Sequence, residues 1–255
     1  MVRNKRIVVV LPAYNAAKTL EATYGEIPLD IVDEIILVDD ASTDTTAALA
    51  RSLKMKTIVH ARNKGYGGNQ KTCYTAALES KADIIIMLHP DYQYTPRLIS
   101  AMAYLLESGE FDVVLGSRIL GGKAIKGGMP VYKYISNRIL TLLQNIIIGA
   151  KLSEYHTGYR AYTRRVLQSI PWPNNSDDFV FDNQLLSQAI YAGFRIGEIT
   201  CPAKYFHEAS SINWRRSIKY GLGCLLTAIQ FRLVRWNLSH SEIFDFSRPT
   251  SELTP

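Results

Sequence analysis

A chain of 255 residues that is 47% hydrophobic and 20% charged can bury a sizeable core, which excludes a wholly disordered or fibrous protein. Its net charge of +6, from 29 Lys and Arg against 23 Asp and Glu, suits phosphate-rich ligands, an anionic membrane face or simple solubility. Nucleic acid is disfavoured as a partner, because there is no basic run interleaved with aromatics, no zinc-finger spacing and no RNA-binding signature.

The basic N-terminus leads into Ile7–Leu11, but Pro12 and Asn15 end the apolar run too early for a signal peptide, so it reads as a buried first strand. Further β-branched runs follow at Glu34–Val38, Thr57–Val59, Ile84–Leu88 and Val113–Leu115. Between them, helical spacing recurs over Ala16–Tyr24, Thr43–Leu53, Asn69–Glu79 and Pro96–Glu107. Ser42, Thr43 and Asp44 offer capping oxygens, and Thr95 precedes a first-turn Pro96. Continuous apolar strands alternating with helices predict an α/β fold: a mostly parallel central sheet covered by helices on both faces. Beyond a glycine-flanked loop (Gly121–Met129), a helix is expected over Val131–Ile148, a polar stretch over Ser153–Arg160, a helix over Phe181–Ala192 and a strand over Arg195–Thr200.

The last predicted element is a helix from Trp214 to Trp236. Ile218, Leu222, Leu225, Ile229 and Leu233 recur on it at helical spacing, Arg215, Arg216, Lys219, Arg232 and Arg235 cluster at its ends, and Trp214 and Trp236 flank it. That pattern fits a helix lying in a membrane interface, and equally one packed on the catalytic domain or in a homo-oligomer. No run reaches the 18–20 apolar residues of a membrane span. Cys73, Cys201 and Cys224 are widely spaced and odd in number, which fits reduced thiols in a cytoplasmic protein, soluble or peripheral on a membrane. The expected organisation is a domain over 1–210, a helical extension over 211–238 and a polar tail over 239–255.

In open α/β sheets ligands gather beyond the carboxyl ends of the strands. All five predicted strands are followed there by polar groups: Pro12–Asn15, Asp39–Ser42, Ala61–Gly65, His89–Gln93 and Gly116–Arg118. His89, Asp91 and Gln93 alternate after the fourth strand. An imidazole, a carboxylate and an amide oxygen can hold a divalent cation; the same residues also fit an ordinary turn with Asp91 capping a helix. Asp39 and Asp40 suit a ribose or base edge, or a helix cap. Gly65, Gly67 and Gly68 fail the dinucleotide fingerprint, since Gln70 stands at its third glycine, but they suit close approach of a phosphate.

Taken in order, PAYN (from Pro12), VDDASTDTT (from Val38), NKGYGG (from Asn63), HPDYQY (from His89), VLGSR (from Val114) and HTGYRAYTR (from His156) resemble the family 2 glycosyltransferases, in particular the dolichol- and polyprenyl-phosphate branch. The resemblance spans Ile7 to Ile199. It implies a nucleotide-diphospho-sugar transferase (GT-A type) fold, a Mg²⁺ or Mn²⁺ cofactor, a nucleotide-sugar donor and a lipid-phosphate acceptor. Donor contacts are then expected from Pro12, Ala13, Tyr14, Asn15, Asp39, Asp40, Asn63, Gly68, Lys71 and Pro90. Asp91 matches the second acid of the family's Asp-x-Asp motif and Gln93 a further metal contact. Arg118 and Ser136 match acceptor-phosphate positions, and Arg160 is grouped with them through a Gly-x-Arg element of open role. Asp182 matches an acid near the reaction centre, so Asp91, Asp182 and Arg118 form the expected catalytic set. The sequence departs from the branch at His89, which replaces the first acid, at Ala16, which replaces an acid, and over Tyr205–Ser211, which lacks the branch's Arg and Lys. A saccharide acceptor and a non-catalytic nucleotide-sugar-binding protein are the competing readings.

Overall fold

The computed structural model describes residues 4–202, 204–205 and 214–247. Its first half follows the predicted alternation: β1 (Ile7–Ala13), α1 (Ala17–Gly25), β2 (Glu34–Asp39), α2 (Thr46–Ser52), β3 (Lys56–Val59), α3 (Gly65–Glu79) and β4 (Ile84–Met87). A 3-10 turn at Pro96–Leu98 runs into α4 (Ile99–Glu107), followed by β5 (Val113–Ser117) and α5 (Val131–Ile148). Then come β6 (Arg160–Thr163), α6 (Arg164–Ser169), α7 (Phe181–Tyr191), β7 (Ile196–Thr200) and α8 (Trp214–Arg235).

The seven strands lie in the order β3-β2-β1-β4-β6-β5-β7. All neighbours are parallel except β6, which runs antiparallel to both β4 and β5 and places Arg160 beside Met87 and Leu115. Neither β6 nor α6 is expected from the sequence. Arg160 opens a strand of only four residues, and a charged residue there disguises a segment whose first three positions are buried.

Alternation along β1 shows how the sheet is covered. Val8 and Val10 join a core with Tyr74 of α3, Leu185 of α7 and Phe231 of α8, whereas Ile7, Val9 and Leu11 join a second core with Leu20 of α1 and Met102 of α4. Helices on both faces thus bury both sides of the sheet, as expected.

The C-terminal helix meets the protein through one apolar stripe and leaves the one read from the sequence largely outward. α8 sends Cys224, Thr227, Ala228 and Phe231 into the protein, a stripe offset from the predicted one. Of the predicted stripe, Ile218, Leu222 and Ile229 face outward and Leu225 and Leu233 are half-buried. The expected polar tail is folded at its start, where Ile243 and Phe244 are buried and Phe244 packs on Tyr191 and Phe231. Thr95 does not cap its turn; its hydroxyl reaches Glu26 instead. Asp44 accepts from the amides of Thr46 and of Ala17, tying the starts of α1 and α2 together. The side chains of Trp214 and Arg215, the segment 206–211 and the tail beyond 247 lie outside the described residues.

Candidate functional site

The edge at the ends of β1, β2 and β3 carries the expected donor residues. Pro12 and Ala13 are buried in β1, while Tyr14 projects with 56% of its surface exposed. Asn15 takes a left-handed conformation (φ 51°) and accepts from the Thr43 amide at 2.9 Å, while Ser42 bonds both its amide and the Asp39 carboxylate. These bonds lock the loops after β1 and β2 together.

Asp40 behaves differently from the expectation of a ligand contact. Its carboxylate lies 2.7 Å from His60 Nδ1 and accepts from the amides of Lys64 and Gly65, so it anchors the start of α3. Asn63 closes the same turn, through Asp40 O and the Gly65 amide.

The glycines of α3 receive protein rather than open space. The amides of Gly67 and Gly68 donate to Asp177 O, and a Cβ on Gly67 would lie 2.3 Å from Ser176 O. Lys71 holds the same loop, through Asn175 O and the Asp177 carboxylate. In this structure Gly68 and Lys71 therefore dock the 175–177 segment. Pro90 is buried and accepts from Thr23 through its carbonyl.

A cavity of about 440 Å³ opens beyond β4 and gathers His89, Asp91, Gln93, Arg118, Ser136 and Asp182 on one wall system with Tyr66, Lys133, His156 and Tyr220. The antiparallel setting of β6 explains why His156 and Gly158 reach it: the segment before β6 enters it from the edge where β4 and β5 end.

His89 Nε2 lies 3.1 Å from the Tyr66 hydroxyl, and its ring stacks on Tyr66 at 5.5 Å with an 18° tilt. Asp91 Oδ1 accepts from the Gln93 amide at 3.1 Å. The three side chains thus line one cavity, and Asp91 stabilises its own turn without capping the helix that follows. One imidazole nitrogen, one carboxylate and one amide oxygen on a single cavity fit a divalent cation that also takes substrate oxygens. Among the described residues no group of three His, Cys, Asp or Glu is assembled for a metal.

Asp182, near the start of α7, accepts from the Tyr66 hydroxyl at 2.6 Å, and its Oδ1 has no hydrogen-bond partner among the described residues. Burial and the charge of Asp182 push the Tyr66 phenol well up, so it keeps its proton.

Arg160 is not at the acceptor side. It is fully buried, donates to the carbonyls of Tyr155, Thr157 and Asp182, and lies 4.0 Å from the Asp182 carboxylate. Its role in this structure is to fix the start of β6 and the start of α7 against each other.

Arg118 lies over the buried Glu154. Its Nε donates to Glu154 Oε1 at 2.9 Å, and its terminal nitrogens donate to Glu154, the His156 carbonyl and the Tyr205 hydroxyl. Burial opposes the Arg118 charge, but Glu154 more than offsets it and holds the guanidinium well above its ordinary range. Burial likewise pushes Glu154 up, and Arg118 reverses this to leave the carboxyl below its usual range. Lys133, one turn before Ser136 on α5, lines the same cavity, and burial followed by repulsion from Arg118 lowers its pKa. Sequence reasoning missed Lys133; its helical spacing from Ser136 was the available signal.

Comparison with known proteins places these residues in context. The family model for Glycosyl transferase family 2 matches residues 8–170, more than half of the chain. Among curated proteins, the UDP-N-acetylglucosamine–dolichyl-phosphate N-acetylglucosaminyltransferase of Methanococcus voltae is 26% identical over 219 residues, covering 79% of this chain and 87% of that protein. The polyprenol monophosphomannose synthase of Mycolicibacterium smegmatis is 25% identical over 203 residues, covering 76% of each. Among solved structures, glucosyl-3-phosphoglycerate synthase from Mycobacterium tuberculosis, in complex with Mn²⁺, UDP and glucosyl-3-phosphoglycerate, matches with a TM-score of 0.68 at 18% identity, over 94% of this chain and 82% of that one. The same enzyme has also been solved with Mg²⁺ and UDP. The architecture is thus of the GT-A type, the motifs resemble those of the polyprenyl-phosphate branch, and the chain belongs to the family 2 glycosyltransferases.

Proposed function

We propose that this glycosyltransferase moves a sugar from a UDP- or GDP-linked donor to a polyprenyl phosphate, with inversion at the anomeric carbon. The observation that carries this reading is the single cavity in which His89, Asp91 and Gln93 meet Arg118, Lys133 and Ser136. One group of side chains suits a cation on the donor diphosphate, and the other suits an anionic acceptor. The names of the relatives, one carrying dolichyl phosphate and the other polyprenol monophosphomannose, support a lipid-phosphate acceptor.

His89, Asp91 and Gln93 would hold the divalent ion, which supplies charge neutralisation for the departing nucleoside diphosphate. Tyr14, Asn15 and Asp39 frame the base and ribose at the ends of β1 and β2. Arg118 and Lys133, with the Ser136 hydroxyl, orient the acceptor phosphate so that one of its oxygens forms the new bond to the anomeric carbon. The bond from that carbon to the donor phosphate breaks as this forms. A phosphate acceptor is already anionic near neutral pH, so positioning matters more than deprotonation. Asp182 would serve as a base for a hydroxyl acceptor.

The cavity also opens beside an apolar surface suited to a lipid. Ile135, Ile139, Leu142 and Ile146 of α5 are exposed, as are Ile218, Leu222, Leu226 and Ile229 of α8, and the two helices pack on each other. Two neighbouring helices that each expose a row of apolar side chains suit a docking face, here for the membrane that carries the acceptor. No helix among the described residues is long and apolar enough to cross a membrane.

The deciding experiment offers a panel of UDP- and GDP-sugars, Mn²⁺ or Mg²⁺, and a short polyprenyl phosphate to the wild type and to Asp91→Ala. Metal-dependent transfer to the lipid, reduced at least a hundredfold in Asp91→Ala, is the expected result. Donor hydrolysis without lipid glycosylation would move the acceptor to a saccharide. Absence of turnover with every donor would overturn the reading.

A further inference from the structure

The hydroxyl of Tyr66 joins two side chains that the sequence places in different motifs. It donates to Asp182 Oδ2 at 2.6 Å and lies 3.1 Å from His89 Nε2. A phenol has one proton, and an ionised carboxylate can only accept. With that proton on the bond to Asp182, the phenolic oxygen has only lone pairs to offer the imidazole. The contact with His89 therefore needs Nε2–H as the donor, which leaves Nδ1 as the nitrogen with a free lone pair.

The rest of the pocket is shaped around this arrangement. A Cβ on Gly158 would stand 2.4 Å from His89 Nε2, so the ring can occupy its place only because residue 158 has no side chain. Phe179 packs against Tyr66 at 4.9 Å, and Arg160 secures the Asp182 backbone.

We propose that Tyr66 is a positioning residue whose single hydroxyl fixes His89 as the Nε2–H tautomer, leaving Nδ1 to ligate the divalent ion, and at the same time orients the Asp182 carboxylate. The proposal rests on the reading of His89, Asp91 and Gln93 as the residues that hold the ion. Partners that orient a ligating histidine typically matter by about 10–100-fold in metal affinity.

The test begins on metal-free protein. Long-range ¹H–¹⁵N spectra of ¹⁵N-histidine-labelled wild type, with the His89 signals assigned through His89→Asn, should show the Nε2–H tautomer. An Nδ1–H tautomer in the wild type would overturn the proposal without any further variant. Tyr66→Phe, which keeps the ring and loses the hydroxyl, should turn the His89 signals into those of mixed tautomers. Manganese binding in the presence of UDP or GDP, followed by electron paramagnetic resonance, should weaken by about 10–100-fold in Tyr66→Phe. The same substitution in a His89→Asn background should change that affinity less than threefold. A Tyr66→Phe protein with wild-type His89 signals and wild-type Mn²⁺ affinity would refute the role. Should the wild type bind no Mn²⁺ with either nucleotide, the metal reading fails, while the tautomer comparison still decides whether Tyr66 controls His89.

Discussion

On the proposed reading, His89 offers a nitrogen donor where the family's motif has an acid. Nitrogen donors favour transition ions over Mg²⁺, whose ligands are almost always oxygens. His89→Asp should therefore lower the ratio of Mn²⁺- to Mg²⁺-supported initial rates by about tenfold. An unchanged ratio would count against His89 as a ligand. At this scale the sequence reveals residues whose chemistry is set by their type and their place after a strand, such as Asp91 and Arg118. It conceals residues whose meaning depends on a distant partner. Tyr66 and Asp182 are 116 positions apart, and Arg160 belongs to Asp182 only once β6 and α7 meet. Gly68 and Lys71 also hold the 175–177 loop, a partner the sequence places more than a hundred positions away.

The elements that are easy to read are those with one dominant environment. β1, β2 and β4 are buried on both faces, so they appear as unbroken apolar runs. β6 is short and begins with an arginine, which hides it. α8 has apolar residues on two faces, one against the core and one outward, so periodicity identifies a helix but does not tell which face meets the protein. The outward stripe, with the exposed apolar residues of α5, leads to a specific expectation. Vesicles containing anionic lipid should bind the protein, and Ile139→Glu or Leu222→Glu should each weaken the partition by tenfold or more, in line with about 1.5–3 kcal/mol per buried aliphatic side chain. Sedimentation with vesicles measures this directly. Equal binding by wild type and both variants would remove the lipid-facing role of this surface.

Across the whole molecule, buried ionisable groups join sheet, cavity and C-terminal helix and make stability depend on pH. Burial pushes His156 down to about 4, with its Nδ1 2.8 Å from the Tyr220 hydroxyl of α8. Its folded value lies below the ordinary 6.5 or so of an unfolded histidine, so the unfolded chain binds the extra proton between those values. Stability should fall as pH drops from about 6.5 to about 4, by up to about 3 kcal/mol from this residue, and the effect should level off below. Urea midpoints measured across that range should show the slope in the wild type and a shallower one in His156→Gln; identical slopes would contradict it. The reversed strand in the middle of the sheet extends this coupling to the order of assembly. A chain that has emerged only as far as β5 already contains Tyr66, His89, Asp91 and Gln93, yet it lacks the Asp182 carboxylate that takes the Tyr66 proton. On the proposal above, full divalent-ion affinity should thus arise late in synthesis, only after β6 has slipped between β4 and β5 and α7 has followed, so that a cation added to partly made chains would distinguish finished molecules from unfinished ones.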